Sequence, residues 1–209
     1  MRKAAVATGK IFLFFIISLS LVAGYVLAIA PGLGLGLDPK PSQTAMVVLQ
    51  AVQLAAMLGT ASLFLLLFDR KSPMSMGIQP RGMGRDTLTG VVIGSFIFFA
   101  ALAIAFYGGW ARLDPRPVDF SMAALGAGAA FTLLGAAMEE VMMRGYVLQE
   151  LMSKFSTRTA VIASSVVFVA LHIGPLVKDA VGIVGAANVF LASLLMSFAY
   201  LRTRQLWLP

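Results

Sequence analysis

Six long apolar segments constrain the fold of this chain more than any other feature of its sequence. A transmembrane helix needs about 20 apolar residues, whereas the strands of membrane barrels alternate apolar and polar positions. These segments are continuously apolar, and the 209-residue chain is 59% hydrophobic and only 12% charged. The sequence therefore predicts an all-α, polytopic bundle of transmembrane helices. The predicted spans lie near residues 11–30, 45–68, 88–107, 120–152, 159–172 and 180–201.

Basic residues outside the spans predict the orientation of the bundle. With a cytosolic amino terminus, eleven Lys and Arg residues lie on the inner side and four on the outer side. Cytoplasmic loops of membrane proteins carry an excess of Lys and Arg, so we expect this orientation. The net charge of +7 then reflects membrane topology, and no nucleic-acid partner is expected. The inner set is Arg2, Lys3, Lys10, Arg70, Lys71, Arg81, Arg85, Lys154, Arg158, Arg202 and Arg204, and the outer set is Lys40, Arg112, Arg116 and Lys178.

Two adjacent carboxylates, Glu139 and Glu140, interrupt the fourth apolar segment, and Arg144 follows one helical turn later. Charged groups at bilayer depth are costly, so they are candidates for a functional site. Glu140 and Arg144 are four residues apart, so they share a helix face and are predicted to pair. Glu139 is rotated from that pair by about 100° and is free to face the next helix. A structural tie between helices is the alternative reading of the pair.

Three polar positions fall at one predicted depth. Glu139 and His172 are equally distant in sequence from the turn between the fourth and fifth spans, and Asn188 lies 14 residues before Arg202. A rise of 1.5 Å per residue places each of them about 20 Å from the cytosolic boundary. A carboxylate beside an imidazole can activate water, and an amide can stabilise an oxyanion, so this layer predicts hydrolysis of a carbonyl compound. The alternatives are a hydrogen-bonded core histidine and an asparagine that holds helices together.

The available side chains disfavour a metal or another cofactor. The chain has one His and no Cys, whereas catalytic zinc usually has three protein ligands, commonly including more than one His. We therefore expect a site without zinc. Gly32, Gly34 and Gly36 follow an apolar helix and not a strand, so a nucleotide-binding loop is not expected there either.

The run at residues 139–146, Glu-Glu-Val-Met-Met-Arg-Gly-Tyr, together with Phe168-x-x-x-His172, resembles the first two motifs of the CAAX protease and bacteriocin-processing family of intramembrane endopeptidases. Residues 188–192 are similar to the family's next polar element, and residues 203–209 to the entry to its last helix. We expect one transmembrane domain over residues 1–209, with a catalytic core at residues 120–209. The family's last helix carries a further His, so we expect another helix beyond Pro209.

The resemblance implies an endopeptidase in which a glutamate and a histidine activate water. It implies a peptide or membrane-protein substrate, lipidated chains included, and a bacterial cell membrane as the setting. Two alternatives stay open: an immunity or scaffold protein that kept the fold, and a transporter with a Glu139–His172 proton relay, against which the lack of an internal repeat counts. The implied catalytic residues are Glu139, Glu140, Arg144, His172 and Asn188, with Phe168 in contact with the substrate.

Overall fold

The computed structural model describes residues 2–33, 42–112, 114, 121–176 and 182–209, and within these residues every regular element is a helix. Two of the long helices change to π-helical geometry along their length. The first does so at Tyr25–Ile29 and the fourth at Val141–Val147. The α-helices are α1 (Arg2–Gly24), α2 (Gln43–Leu67), α3 (Met83–Tyr107), α4 (Met122–Glu140), α5 (Leu148–Met152), α6 (Thr157–Leu171), α7 (Ile173–Leu176) and α8 (Gly182–Thr203).

Five of the described helices are long and apolar enough to cross a membrane, and the fifth predicted span, at residues 159–172, is the shorter apolar helix α6. The prediction of an all-helical membrane fold is therefore confirmed. The five long helices are Ala5–Gly32, Gln43–Leu67, Met83–Tyr107, Met122–Met152 and Gly182–Thr203. Several predicted features fall outside the described residues: Gly34, Gly36, Lys40, Arg116, Lys178 and the predicted starts of two spans at Phe120 and Ala180.

Three of the helices begin at a serine that caps the first turn. The hydroxyl groups of Ser42, Ser121 and Ser156 accept hydrogen bonds from backbone N–H groups three residues later, at 3.1, 3.3 and 3.3 Å. A serine in this position satisfies an N–H group that has no partner within the helix. The starts of α2, α4 and α6 are thus determined locally, by one residue before each apolar run.

The core of the bundle lies around the π-helical segment Val141–Val147. Every residue from 141 to 148 is buried, and the Tyr146 ring packs between those of Phe14 and Phe64, with ring centroids 4.6 and 5.6 Å apart. These rings come from α1, α2 and the fourth span, so one aromatic cluster joins three membrane helices. The packing fixes the rotation of the fourth span, and with it the direction of the carboxylates at its centre.

A cluster of charged residues ties α1 to α5 and to the residues just after α2. The ammonium group of Lys10 forms an ion pair with Asp69, just beyond α2, and lies 3.5 Å from a carboxylate oxygen of Glu150 in α5. All three side chains are largely buried. Lys10, which the sequence identified only as a topology signal, therefore also holds three elements of the fold together.

The residues after α8 fold back against the turn between α2 and α3. The backbone N–H of Leu206 donates to the carbonyl of Gly77 at 2.8 Å, and the indole N–H of Trp207 donates to the carbonyl of Gln79 at 2.7 Å. Gly77 has φ +99°, and a Cβ atom there would lie 2.8 Å from the carbonyl oxygen of Arg204. A glycine is therefore required for this close contact. Leu206 and Trp207 are therefore held against the turn between α2 and α3.

Candidate active site

The predicted ion pair between Glu140 and Arg144 is present. Nη1 of Arg144 donates to Oε1 of Glu140 at 2.8 Å, and the Arg144 side chain is only 1% exposed. Glu140 is the last residue of α4, and Arg144 lies in the π-helical segment that follows. A buried guanidinium needs an anionic partner, so this bond fixes both side chains.

Arg144 also makes contacts that join α6 and α8 to the fourth span. Its Nη2 atom donates to the backbone carbonyl of Ser193 at 2.8 Å and lies 3.2 Å from the Ser193 hydroxyl. The guanidinium carbon lies 5.3 Å from the centroid of the Phe168 ring, within the range of a cation–π contact. One buried side chain therefore fixes the relative positions of three helices.

The π-helical geometry around Arg144 is supported by Gln149. The wide turn of a π-helix departs from the regular α-helical bonding pattern, and such segments are frequent at functional sites. The side-chain amide of Gln149 donates to the carbonyl oxygens of Gly145 and Ser75, both at 3.0 Å. Gln149 therefore connects the π-helical segment to the turn that follows α2. It was not among the predicted site residues, although an uncharged polar residue in an apolar span was a usable signal.

Glu139 and His172 face each other across the hairpin formed by the fourth span and α6. Oε1 of Glu139 lies 3.8 Å from Nε2 of His172, and the two side chains are 37% and 33% exposed. This proximity agrees with the equal depth predicted for the two residues. Glu140, by contrast, is 12% exposed and bonded to Arg144. Adjacent carboxylates thus have different surroundings, one buried and paired, the other open.

The orientation of the His172 ring follows from its second nitrogen. Nδ1 lies 2.8 Å from the backbone carbonyl of Phe168, one helical turn earlier. Because a carbonyl oxygen can only accept, Nδ1 carries the proton, and Nε2 is the nitrogen that faces Glu139. The Phe168 ring packs against the imidazole, with centroids 4.5 Å apart. Phe168 thus holds His172 by its backbone and by its ring.

These residues line one wall of a cavity of about 820 Å³. The predicted residues Glu139, Glu140, Arg144, Phe168 and His172 all contribute to it. The remaining wall is largely apolar, and a few convergent polar groups in an apolar cavity are typical of a small-molecule or peptide site. The apolar wall includes Leu54, Leu58, Ile78, Val189, Met196, Leu206 and Trp207.

The structure does not bring Asn188 into this group. Its side chain is exposed, and of the described α8 residues, Val189, Ala192 and Met196 line the cavity instead. The neighbouring position of Val189 agrees with the predicted depth of Asn188, but the side chain lies on another face of the helix. The role of Asn188 as an oxyanion donor stays a prediction.

A catalytic metal ion would need about three protein ligands placed close together. Across the described parts of the chain, no group of three or more His, Asp or Glu side chains is placed to hold a metal ion. Glu139 and His172 would supply two ligands, and Glu140 is engaged by Arg144. A site that works without a metal remains the expectation, as it was from the sequence.

Residues 121–209 match the family of Rce1-like type II CAAX prenyl endopeptidases. The matched part begins one residue after the boundary predicted for the catalytic core and contains every predicted site residue. The match confirms the resemblance to the CAAX protease family over this part of the chain. No curated protein and no solved structure matches the chain.

Proposed function

We propose that this protein, whose residues 121–209 match the CAAX prenyl endopeptidase family, is a glutamate-dependent intramembrane endopeptidase. The observation that carries the proposal is the facing pair of Glu139 and His172, 3.8 Å apart on the wall of an apolar cavity. The neighbouring Glu140 is held by Arg144, so the two carboxylates have separate tasks. Glu139 is the general base, and Glu140 and Arg144 fix its position.

The separation of the pair suits a shared water molecule. A distance of 3.8 Å is longer than a direct hydrogen bond, and a water molecule beside both groups can donate one proton to each. Its oxygen lone pairs then point away from both groups, toward a substrate carbonyl in the cavity. Glu139 takes the proton as the water oxygen bonds to the carbonyl carbon, and the proton passes to the leaving amine when the peptide bond breaks.

The oxyanion that forms in this step needs a hydrogen-bond donor. Asn188, one residue from the cavity wall at Val189, is the donor suggested by the sequence. Since its side chain is exposed outside the cavity in this conformation, the first turns of α8, which precede Ser193, have to shift when substrate binds. Closure of an active site around its substrate commonly completes a catalytic group in this way.

The substrate we propose is a peptide or membrane protein with an apolar segment or a lipid group next to the cleaved bond. The largely apolar wall of the cavity, including Leu54, Leu58 and Val189, supports this substrate class. The described inner-side basic residues also support access from the cytosolic side. They lie in the first half of α1, in or beside the α2–α3 and α5–α6 turns, and at or just after the end of α8. Ile78, in the α2–α3 turn, and Leu206 and Trp207, after α8, line the cavity.

Replacing the base without changing its shape tests the proposal. We expect Glu139→Gln to lower cleavage of a quenched-fluorescence peptide ending in a farnesylated CAAX sequence by about 10²–10⁴-fold, since glutamine cannot accept the proton. The midpoint of thermal unfolding in detergent should change little, because the Glu139 side chain is 37% exposed and its contact with His172 is longer than a hydrogen bond. The unlipidated peptide, measured alongside, reports whether the lipid group contributes to recognition.

A matched control is Glu150→Gln, which removes a buried carboxylate in α5 that lies outside the cavity. Per folded molecule, this variant should cleave like the wild type. Cleavage retained by Glu139→Gln would exclude Glu139 as the base. A folded wild-type protein that cleaves neither peptide would favour the immunity or scaffold alternative.

A further inference from the structure

We infer that Ser193 is a positioning residue for the Glu139–His172 site and acts through Arg144. The inference rests on the proposed endopeptidase function. Ser193 lies in α8, 1% exposed, and both its backbone carbonyl and its hydroxyl lie within hydrogen-bond distance of Nη2 of Arg144, at 2.8 and 3.2 Å. It makes no contribution to the cavity wall, so its effect on the reaction has to be transmitted by the guanidinium.

The planar guanidinium of Arg144 is held at two corners. Nη1 is bonded to Glu140 in the same span, and Nη2 is bonded to Ser193 in α8. The guanidinium therefore cannot rotate without breaking one of these two bonds. A fixed fork of donors is the property that distinguishes Arg from Lys. Because Glu139 is the residue next to Glu140, a guanidinium that can rotate would loosen the backbone that carries the proposed base.

The same contact sets the position of α8 relative to the catalytic pair. Ala192, next to Ser193, and Val189, one turn earlier, line the same cavity as Glu139. The Arg144–Ser193 bonds therefore fix the distance between the catalytic wall and the α8 wall of the cavity. A small error in such a distance affects the rate of the chemical step more than the affinity for substrate.

The chain offers a matched control one helical turn further along α8. Ser197 is also 1% exposed, and its hydroxyl has no hydrogen-bond partner among the described residues. Replacing Ser197 by Ala removes the same atom, from the same helix, at the same burial. The difference between the two serines is the contact with Arg144.

The kinetic test compares Ser193→Ala with Ser197→Ala on the farnesylated reporter peptide. Ser193→Ala removes the hydroxyl contact at 3.2 Å and keeps the carbonyl bond at 2.8 Å. We expect it to lower kcat about fivefold with little change in KM, because one hydrogen bond that positions the guanidinium is lost while the apolar wall remains. Ser197→Ala should leave both constants at the wild-type values. An unchanged kcat in Ser193→Ala, or an equal fall in both variants, would overturn the inference.

A second measurement separates this inference from the proposed function, since it needs no cleavage. The shifts in thermal unfolding midpoint of Arg144→Lys, Ser193→Ala and the double variant form a cycle. Lys cannot bond both corners, so we expect the double variant to be shifted by less than the sum of the two single shifts. Additive shifts would show that Arg144 and Ser193 are not coupled, and would overturn the inference whether or not the protein cleaves peptides. Non-additive shifts without any cleavage would support the coupling of Arg144 with Ser193 and count against the proposed endopeptidase function.

Discussion

The two halves of the fourth membrane span are both apolar, but they are packed very differently. α4, the first half, contains no buried residue, and it packs mainly on α2. In the second half every residue from 141 to 148 is buried, against α1, α2, α6 and the turn at Pro73–Met76. Hydropathy alone does not distinguish the halves, because lipid and a protein core both accept apolar side chains.

The candidate site lies at the boundary between these halves. Glu140, the last residue of α4, is bonded to a guanidinium of the buried half, whereas Glu139 faces the cavity. The buried half supplies rigidity, and the exposed half leaves room for a substrate beside the base. A preorganised group next to open space is the combination that catalysis requires.

The largest expected difference between the halves concerns Arg144. Arg144→Ala leaves the Glu140 carboxylate buried without its partner, and breaking a buried pair in this way costs about 3–5 kcal/mol. A matched substitution in the exposed half is Thr132→Ala, because the Thr132 hydroxyl donates to the Gly128 carbonyl of its own helix and to no other described residue. That change should alter the free energy of unfolding by about 0.5 kcal/mol or less. Chemical unfolding in detergent measures both.

The double variant Glu140→Gln with Arg144→Ala isolates the ion pair. Neutralising Glu140 removes the unpaired charge, so the double variant should be more stable than Arg144→Ala alone. If the two unfold at the same denaturant concentration, the stability of this region does not depend on the pair.

The sequence was sufficient for the positions of the helices. The predicted span at residues 45–68 is observed as Gln43–Leu67, and that at residues 88–107 as Met83–Tyr107. Ser42 caps the start of α2, and the limits of α2 follow from this cap and from apolar length. The helix α3 begins five residues before the predicted limit, after Gly82, which has φ +80° and makes no side-chain cap. Spacing within one helix also sufficed for Glu140 and Arg144, since residues four apart share a face.

Contacts between helices were predicted only in part. Counting residues along each helix axis correctly placed Glu139 and His172 at the same level. The count does not tell how each helix is rotated about its own axis. Asn188 lies next in sequence to the cavity residue Val189, but its side chain is on another face of the helix. Ser193 was missed because its partner is 49 residues away in sequence. Gln149 had a usable signal as a polar residue in an apolar span, but its bond to Ser75, 74 residues away, could not be predicted. Serine is also common in apolar helices, so nothing local distinguished Ser193 from Ser197.

The same Leu→Ala substitution can be made in each half of the fourth span, at Leu133 and at Leu148. Leu148 is fully buried, whereas Leu133 is 70% exposed. Leu148→Ala leaves a cavity in a packed core and should destabilise the protein by about 2–5 kcal/mol. Leu133→Ala should have an effect near zero, because the side chain contacts little protein in either case. Similar losses of unfolding free energy in both variants would mean that another helix or another copy of the chain covers α4.

The smallest perturbation is a single cysteine substitution, whose labelling distinguishes a side chain exposed to water from one exposed to lipid. The chain has no native cysteine, so single cysteines report without background. Ala137 is exposed and lines the cavity, whereas Val166 is 55% exposed and precedes the cavity residue Phe168 by two positions, which places it on the opposite face of α6. In sealed vesicles, a charged thiol reagent applied from the cytosolic side should modify Ala137→Cys and leave Val166→Cys unmodified, although Val166 is closer in sequence to the inner turn. Faster reaction of Ala137→Cys from the outer side would overturn the proposed orientation and access route, because the cavity would then open away from the cytosol.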